Sequence, residues 1–313
     1  MISRSVVPMR RIMIGLFSSQ KRLTAAVCLL LSASCLLFPT LGTFAQKGKR
    51  SGSHPSAALE VLANEDRELI DQAIGVVCSE RRLDAVGSVP IDDMQKRPSL
   101  SLRAAEVVKG AERAQRLLPT AKALAIAALR QLSHEYKIDR YRSHNLRMVR
   151  ALARIQAVVR VKPDIDARDN ASVYLKNPRT ITFGTIFLAG LPSDEGMVSV
   201  LAHELIHIGD GNSDTLLPLF QAIGERASSL TGLRIREQRA EELTCDLVGA
   251  LAVRSFISAS PNYDPLARRL ARSIEHNCVD EDESDEEHLS PRNTLRAVLT
   301  LDRTLRRALV YKR

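Results

Sequence analysis

Ser193 to Gly209 reads SDEGMVSVLAHELIHIG, and the rest of the chain is best understood outward from it. Val198, Leu201, Ala202, Leu205 and Ile208 recur at helical spacing, Asp194 and Glu195 suit the positive end of a helix dipole, and Gly209 reads as the stop. On such a helix His203 and His207 are four apart and stack on one face. Two imidazole nitrogens can then bind one ion without bending the backbone. Glu204 sits beside them, where a carboxylate can take a proton from a metal-bound water.

The next long apolar pattern, Ile235 to Phe256, reads IREQRAEELTCDLVGALAVRSF. Glu242 and Asp246 are again four apart on one face, and Gly249 continues that face and leaves room for a neighbouring helix. A catalytic zinc site usually takes three protein ligands and keeps one position open, so Glu242 supplies the third ligand. Asp246 then orients a ligand histidine through its second ring nitrogen. The alternative is that both acids face solvent in a helix that also carries Arg236, Arg239 and Glu241.

Before the histidine helix, IDARDNASVYLKNPRTITFGTIFLAG (Ile165 to Gly190) is rich in β-branched and aromatic residues and punctuated by Asn, Pro and Gly. It predicts two or three short strands, around Ala171 to Leu175 and Thr180 to Phe187, joined through Asn177 and Pro178. Thr180, Ile181, Thr182, Phe183 and Gly184 are expected to form an exposed sheet edge that takes an extended peptide by strand addition. Further upstream, helical periodicity covers Ala58 to Arg82, Leu102 to Leu117 and Ala121 to Tyr136, the last two separated by Pro119. Asn145 to Val159 predicts another helix, with Leu146, Val149, Leu152, Ala153 and Ile155 on its apolar face and solvated arginines opposite. Val86 to Ser99 reads as a loop, and VDEDESDEEH (Val279 to His288) as a solvated acidic one.

The chain has 313 residues, with 45 Lys and Arg against 36 Asp and Glu, a net charge of +9. The first 45 residues hold five of the basic residues and no acid, leaving the body at +4. With aromatics at 4% and no Trp, the body has little surface on which bases could stack, and nucleic acid is not an expected partner. Leu23 to Ala45 is uncharged and flanked by basic residues, so residues 1–45 are a signal peptide or a retained membrane anchor and 46–56 a linker. Either places the protein outside the cytoplasm or on a membrane; a lipoprotein site at Cys35 and a buried helix are weaker readings. Cys78, Cys245 and Cys278 remain in the mature chain. They permit one bridge, and Cys78 to Cys278 is preferred because Cys245 lies on the packed second helix.

Taken together, HELIH at His203 to His207 and the later Glu242, Leu243, Thr244, Cys245, Asp246 resemble the gluzincin metallopeptidases of the HtpX and CAAX-prenyl-protease kind. Asn170 and Ala171 followed by TITFGTIFLAGL are similar to that family's Asn-Ala and edge-strand segment. SPRNTLR, Ser290 to Arg296, looks like its His-Pro motif with serine in place of histidine. The resemblance spans roughly Asn145 to Leu301. It implies an α+β, predominantly helical fold with a small sheet beside the HExxH helix and the metallopeptidase domain at 145–313; residues 57–144 form an N-terminal helical region that the resemblance does not cover. It also implies one Zn2+ on His203, His207 and Glu242, Glu204 as general base, Asp246 behind the ligands, and protein or peptide substrates. The step of 35 positions from His207 to Glu242 is short for that family, and Cys245, which replaces its alanine, could as a thiolate be a fourth zinc ligand, although three ligands and a water suffice. His288 could replace the missing oxyanion donor, or Ser290 could donate weakly, or zinc alone could polarise the carbonyl, with His288 then simply ending the acidic loop beside Glu286 and Glu287. Two competing readings are a client-binding chaperone or assembly factor on the same fold, and a helical interaction module with a fortuitous HExxH.

Overall fold

A computed structural model describes residues 62–84, 98–174, 176–190, 193–259, 269 and 285–311. The N-terminal segment and linker, most of the loop expected at Val86 to Ser99, Cys278 and most of the acidic run lie outside the described residues. The helices are α1 (Asn64–Asp84), α2 (Ala105–Glu135), α3 (Arg142–Ala157), α4 (Thr185–Gly190), α5 (Asp194–Asp210), α6 (Leu217–Thr231), α7 (Gln238–Ala259), α8 (Pro291–Leu301) and α9 (Arg303–Tyr311). Three short strands, β1 (Arg160–Asp164), β2 (Ala171–Val173) and β3 (Thr180–Gly184), fall between α3 and α4. The fold is therefore predominantly helical with one small sheet.

Everything is arranged around α5, which carries apolar side chains on almost every side. Met197, Val198, Leu201, Ala202, Leu205, Ile206 and Ile208 are all fully buried. A helix apolar all round needs cover all round, and α2, α3, α7 and the sheet provide it. One core runs from Ile70 to Leu309. It crosses the boundary read at residue 145, since α2 packs directly on both α5 and α7.

Five expectations change in the structure. Pro119 does not end a helix: α2 continues through it for 31 residues. Pro119 lies on the solvent side, whereas Leu117, Leu118, Ala121 and Ala125 are buried. The carbonyl that loses its bond to a proline N–H thus faces water while the apolar side holds both halves against the core. In α3 the buried residues are Met148, Ala151 and Ile155, and Leu146 and Val149 point outward. Gly209 is not the stop of α5 either. It is a contact glycine against Ile155, where a Cβ would come within 3.1 Å of Cδ1, and the cap falls to Gly211 at φ 62°. Arg154 is tied down rather than solvated. Its Nη1 donates to the carbonyls of Gly209 and Asp210 and to Thr215 Oγ1, and its Nη2 to Ser213 Oγ.

The fifth change concerns the sheet, whose order is β1-β3-β2. β3 pairs in parallel with β1 and antiparallel with β2, with Ile181 opposite Val161 on one side and Val173 on the other. Thr180 to Gly184 is therefore the central strand, not an exposed edge. Four of its five residues are buried, as suits a strand covered on both faces. Its end is also earlier than expected, since Thr185 already begins α4. At Gly184 a Cβ would lie 2.0 Å from the Arg168 carbonyl oxygen, so only glycine fits where that loop crosses the strand.

Candidate metal centre

The site is built where α5 and α7 cross. Ser193 caps α5, its Oγ accepting a hydrogen bond from the Gly196 N–H at 3.0 Å, and Asp194 and Glu195 occupy the first turn. Glu195 also accepts from the buried Arg269 at 2.7 Å, which fixes the start of the helix. Gly249 on α7 faces the α5 backbone. A Cβ there would stand 3.0 Å from Ser199 O and Oγ, so the missing side chain lets the two helices close.

That approach brings side chains from both helices together. His203 Nε2 and His207 Nε2 are 3.2 Å apart. Glu242 Oε2 lies 3.3 Å from the first and 3.6 Å from the second. The opposite ring nitrogens are each held by an acid: His203 Nδ1 by Asp246 Oδ1 at 2.9 Å, and His207 Nδ1 by Glu241 Oε1 at 2.8 Å. Both rings are thus oriented with Nε2 turned toward Glu242. Glu204 is buried on the same helix between them.

His203, His207 and Cys245 also lie close enough to bind a metal ion, one atom of each within 4.8 Å of the others. Two donor sets therefore share the histidine pair. Cys245 is fully buried and reaches His207 from the Nδ1 side, Sγ to Nδ1 3.9 Å, where Glu241 is already bonded. Burial pushes its thiol up to about 11. Glu242 lies on the Nε2 side. Burial opposes its charge, but hydrogen bonds from His203 and His207 outweigh it and hold the carboxyl well below the usual carboxylate range. The same contest raises both histidines: burial disfavours the imidazolium, and Cys245, Asp246 and Glu242 around His203, with Cys245, Glu241 and Glu242 around His207, overcome it.

The structure brings His288 to this cluster, with Nε2 3.9 Å from Glu242 Oε2. Its backbone N–H donates to Asp285 Oδ1 at 2.6 Å, and Nδ1 lies 3.3 Å from both Asp285 oxygens. His288 is thus held at the rim by Asp285. Ser290 serves the start of the next helix. It is 2% exposed and caps α8, accepting from Asn293 N–H. Cys78 is disulfide-bonded and Cys245 is free; Cys278, its expected partner, lies outside the described residues.

Glu241 is the site residue that sequence reasoning missed. It precedes Glu242, a 100° step off the face that the Glu242–Asp246 spacing defines, and so reads as a solvent charge. The one available signal is its place four residues before Cys245, on the side of α7 that the core covers. The chain matches no protein-family model, no curated protein and no solved structure. The chemistry of this cluster is therefore argued from its own residues.

Proposed function

We propose that the protein is a zinc-dependent endopeptidase that hydrolyses peptide bonds of protein substrates outside the cytoplasm or at a membrane. The observation that carries this reading is the triangle of His203 Nε2, His207 Nε2 and Glu242 Oε2, with edges of 3.2, 3.3 and 3.6 Å. Ligands at about 2.0–2.1 Å from zinc on tetrahedral corners are about 3.3 Å apart, so the triangle fits three corners and leaves the fourth for water or substrate. Cys245 is the poorer third donor, because it reaches His207 from the Nδ1 side, where Glu241 is already bonded, and not the Nε2 side that the triangle joins.

A zinc ion held there would supply Lewis acidity, making bound water acidic near neutral pH and polarising a substrate carbonyl. The chain's own residues do the rest. Asp246 and Glu241 keep both imidazoles in the tautomer that presents Nε2. Glu204, one residue after His203, accepts the proton of the attacking water and returns it to the leaving amine. His288, half-exposed and held by Asp285, donates to the carbonyl oxygen as negative charge develops on it. Strand addition of a peptide falls to β2, since β3 is enclosed. β2 is the sheet edge that packs on α5, and no strand pairs with its outer side among the described residues.

Metal analysis combined with casein hydrolysis, on the parent and on Glu204→Gln, tests the proposal. The parent should carry about one zinc per chain and hydrolyse casein, and the variant should keep zinc and lose hydrolysis. A parent without stoichiometric zinc, or a variant with full turnover, would overturn it.

A further inference from the structure

The outward side of α3 has a composition of its own. Leu146 is 54% and Val149 62% exposed, with Tyr141 before the helix at 62% and Val159 after it at 52%. At 100° per residue Leu146, Val149 and Ala153 share one stripe, with Arg142 in line with it and Arg150 and Arg147 along its flank. From Arg140 to Pro163 the chain has seven basic residues and no acid. Arg154 is used up on the end of α5, but among the described residues no ion pair involves Arg142, Arg147 or Arg150.

An exposed apolar stripe whose charged neighbours along α3 are all cations fits one kind of surface, apolar just beneath a layer of negative charge. We propose that this face of α3 docks on a membrane bearing anionic lipid headgroups, Leu146 and Val149 entering the acyl boundary and the arginines contacting phosphates. Charge complementarity selects lipid over a second copy of the chain, whose identical basic face would repel this one. The uncharged Leu23 to Ala45 run of the same chain is expected to bring a membrane within reach. Two apolar side chains are a weak anchor, so attraction by the arginines, about fivefold in partition for each, dominates and makes docking salt-sensitive. The proposal does not rest on the peptidase reading, and neither test bears on the other.

The chain contains no Trp, so Val149→Trp places a single reporter on this face of the full-length protein. With vesicles of phosphatidylcholine containing about 30% phosphatidylglycerol, its emission should shift to the blue and be quenched by brominated acyl chains. Pure phosphatidylcholine, or about 0.5 M salt, should abolish the effect. Adding Arg142→Gln, Arg147→Gln and Arg150→Gln should weaken it roughly a hundredfold, and a Tyr311→Trp reporter on α9 should not respond. Indole emission at position 149 that ignores lipid charge and bromine would overturn the proposal. So would a blue shift that grows with protein concentration in the absence of lipid, because the face would then be covered by another copy.

Discussion

Glu241 and Glu242 adjoin in the chain yet meet opposite ring nitrogens of His207, at 2.8 Å from Nδ1 and 3.6 Å from Nε2. Their substitution should therefore have different consequences. Alanine at Glu242 removes a proposed ligand and should abolish stoichiometric zinc, whereas Cys245→Ser should leave it bound. Glu241→Gln and Asp246→Asn should keep the metal with affinity lowered about ten- to a hundredfold, since they act through the histidines. Competition titration against a chromophoric chelator reads all four, and zinc loss from Cys245→Ser with retention in Glu242→Ala would exchange the third ligand. His288→Ala should cut kcat roughly a hundredfold or more at full metal content; a rate within a few-fold of the parent would return His288 to a loop role. His203, Glu204 and His207 were legible because an i, i+4 pair bracketing an acid has few other uses. Glu242 and Asp246 followed from the same spacing. Glu241 and the grip of Asp285 on His288 were not legible, because each depends on where another part of the chain comes to rest.

Elements were legible where one face alone decides them and misread where two choices compete. The stripe of Leu146, Val149 and Ala153 in α3 is as periodic as that of Met148, Ala151 and Ile155. Only the fit of Ile155 against Gly209 settles which turns inward. β1 was missed because Arg160, Lys162 and Pro163 look unlike a strand, yet they suit an edge, where a proline forfeits no ladder bond on its open side. That hidden edge is what encloses β3. Pro119 gives the reverse lesson, a helix breaker overridden by packing. Pro119→Ala should raise the unfolding free energy by about 2 kcal/mol, the roughly 3 kcal/mol interior cost of proline less what its stiffness takes from the unfolded chain. Urea denaturation with an unchanged m-value would report it, and a fall in stability would mean that the proline serves a bend that α2 requires.

For the molecule as a whole, the cluster ties stability to pH and to metal in opposite senses. Without metal, the depressed Glu242 carboxyl contributes stability that is present above its ordinary range near 4.5 and lost as pH falls through its folded value. The raised histidines contribute stability that is complete below their ordinary 6.5 and lost as pH rises through their folded values. Metal needs both imidazoles neutral, so its affinity climbs with pH as the metal-free protein weakens. The drop in Tm caused by a chelator should thus be small near about pH 6 and larger near about pH 9. An equal drop at both would separate the metal from these protons. A second long-range tie joins α1 to α9. Buried Arg306 donates to Leu299 O and Thr300 O at 3.0 Å each and reaches across 240 positions to Asp66 at 2.8 Å, whose carboxyl that bond holds below its usual range. The apolar side of α1, with Ile70, Ala73, Ile74 and Val77, is covered by α8 and α9. A nascent chain delivered from its front end, at about 5–20 residues per second, must carry that stripe uncovered for on the order of ten to fifty seconds. Synthesis, rather than folding, then sets when the first helix finds its cover, and for that interval α1 is open to chaperones and to other nascent chains.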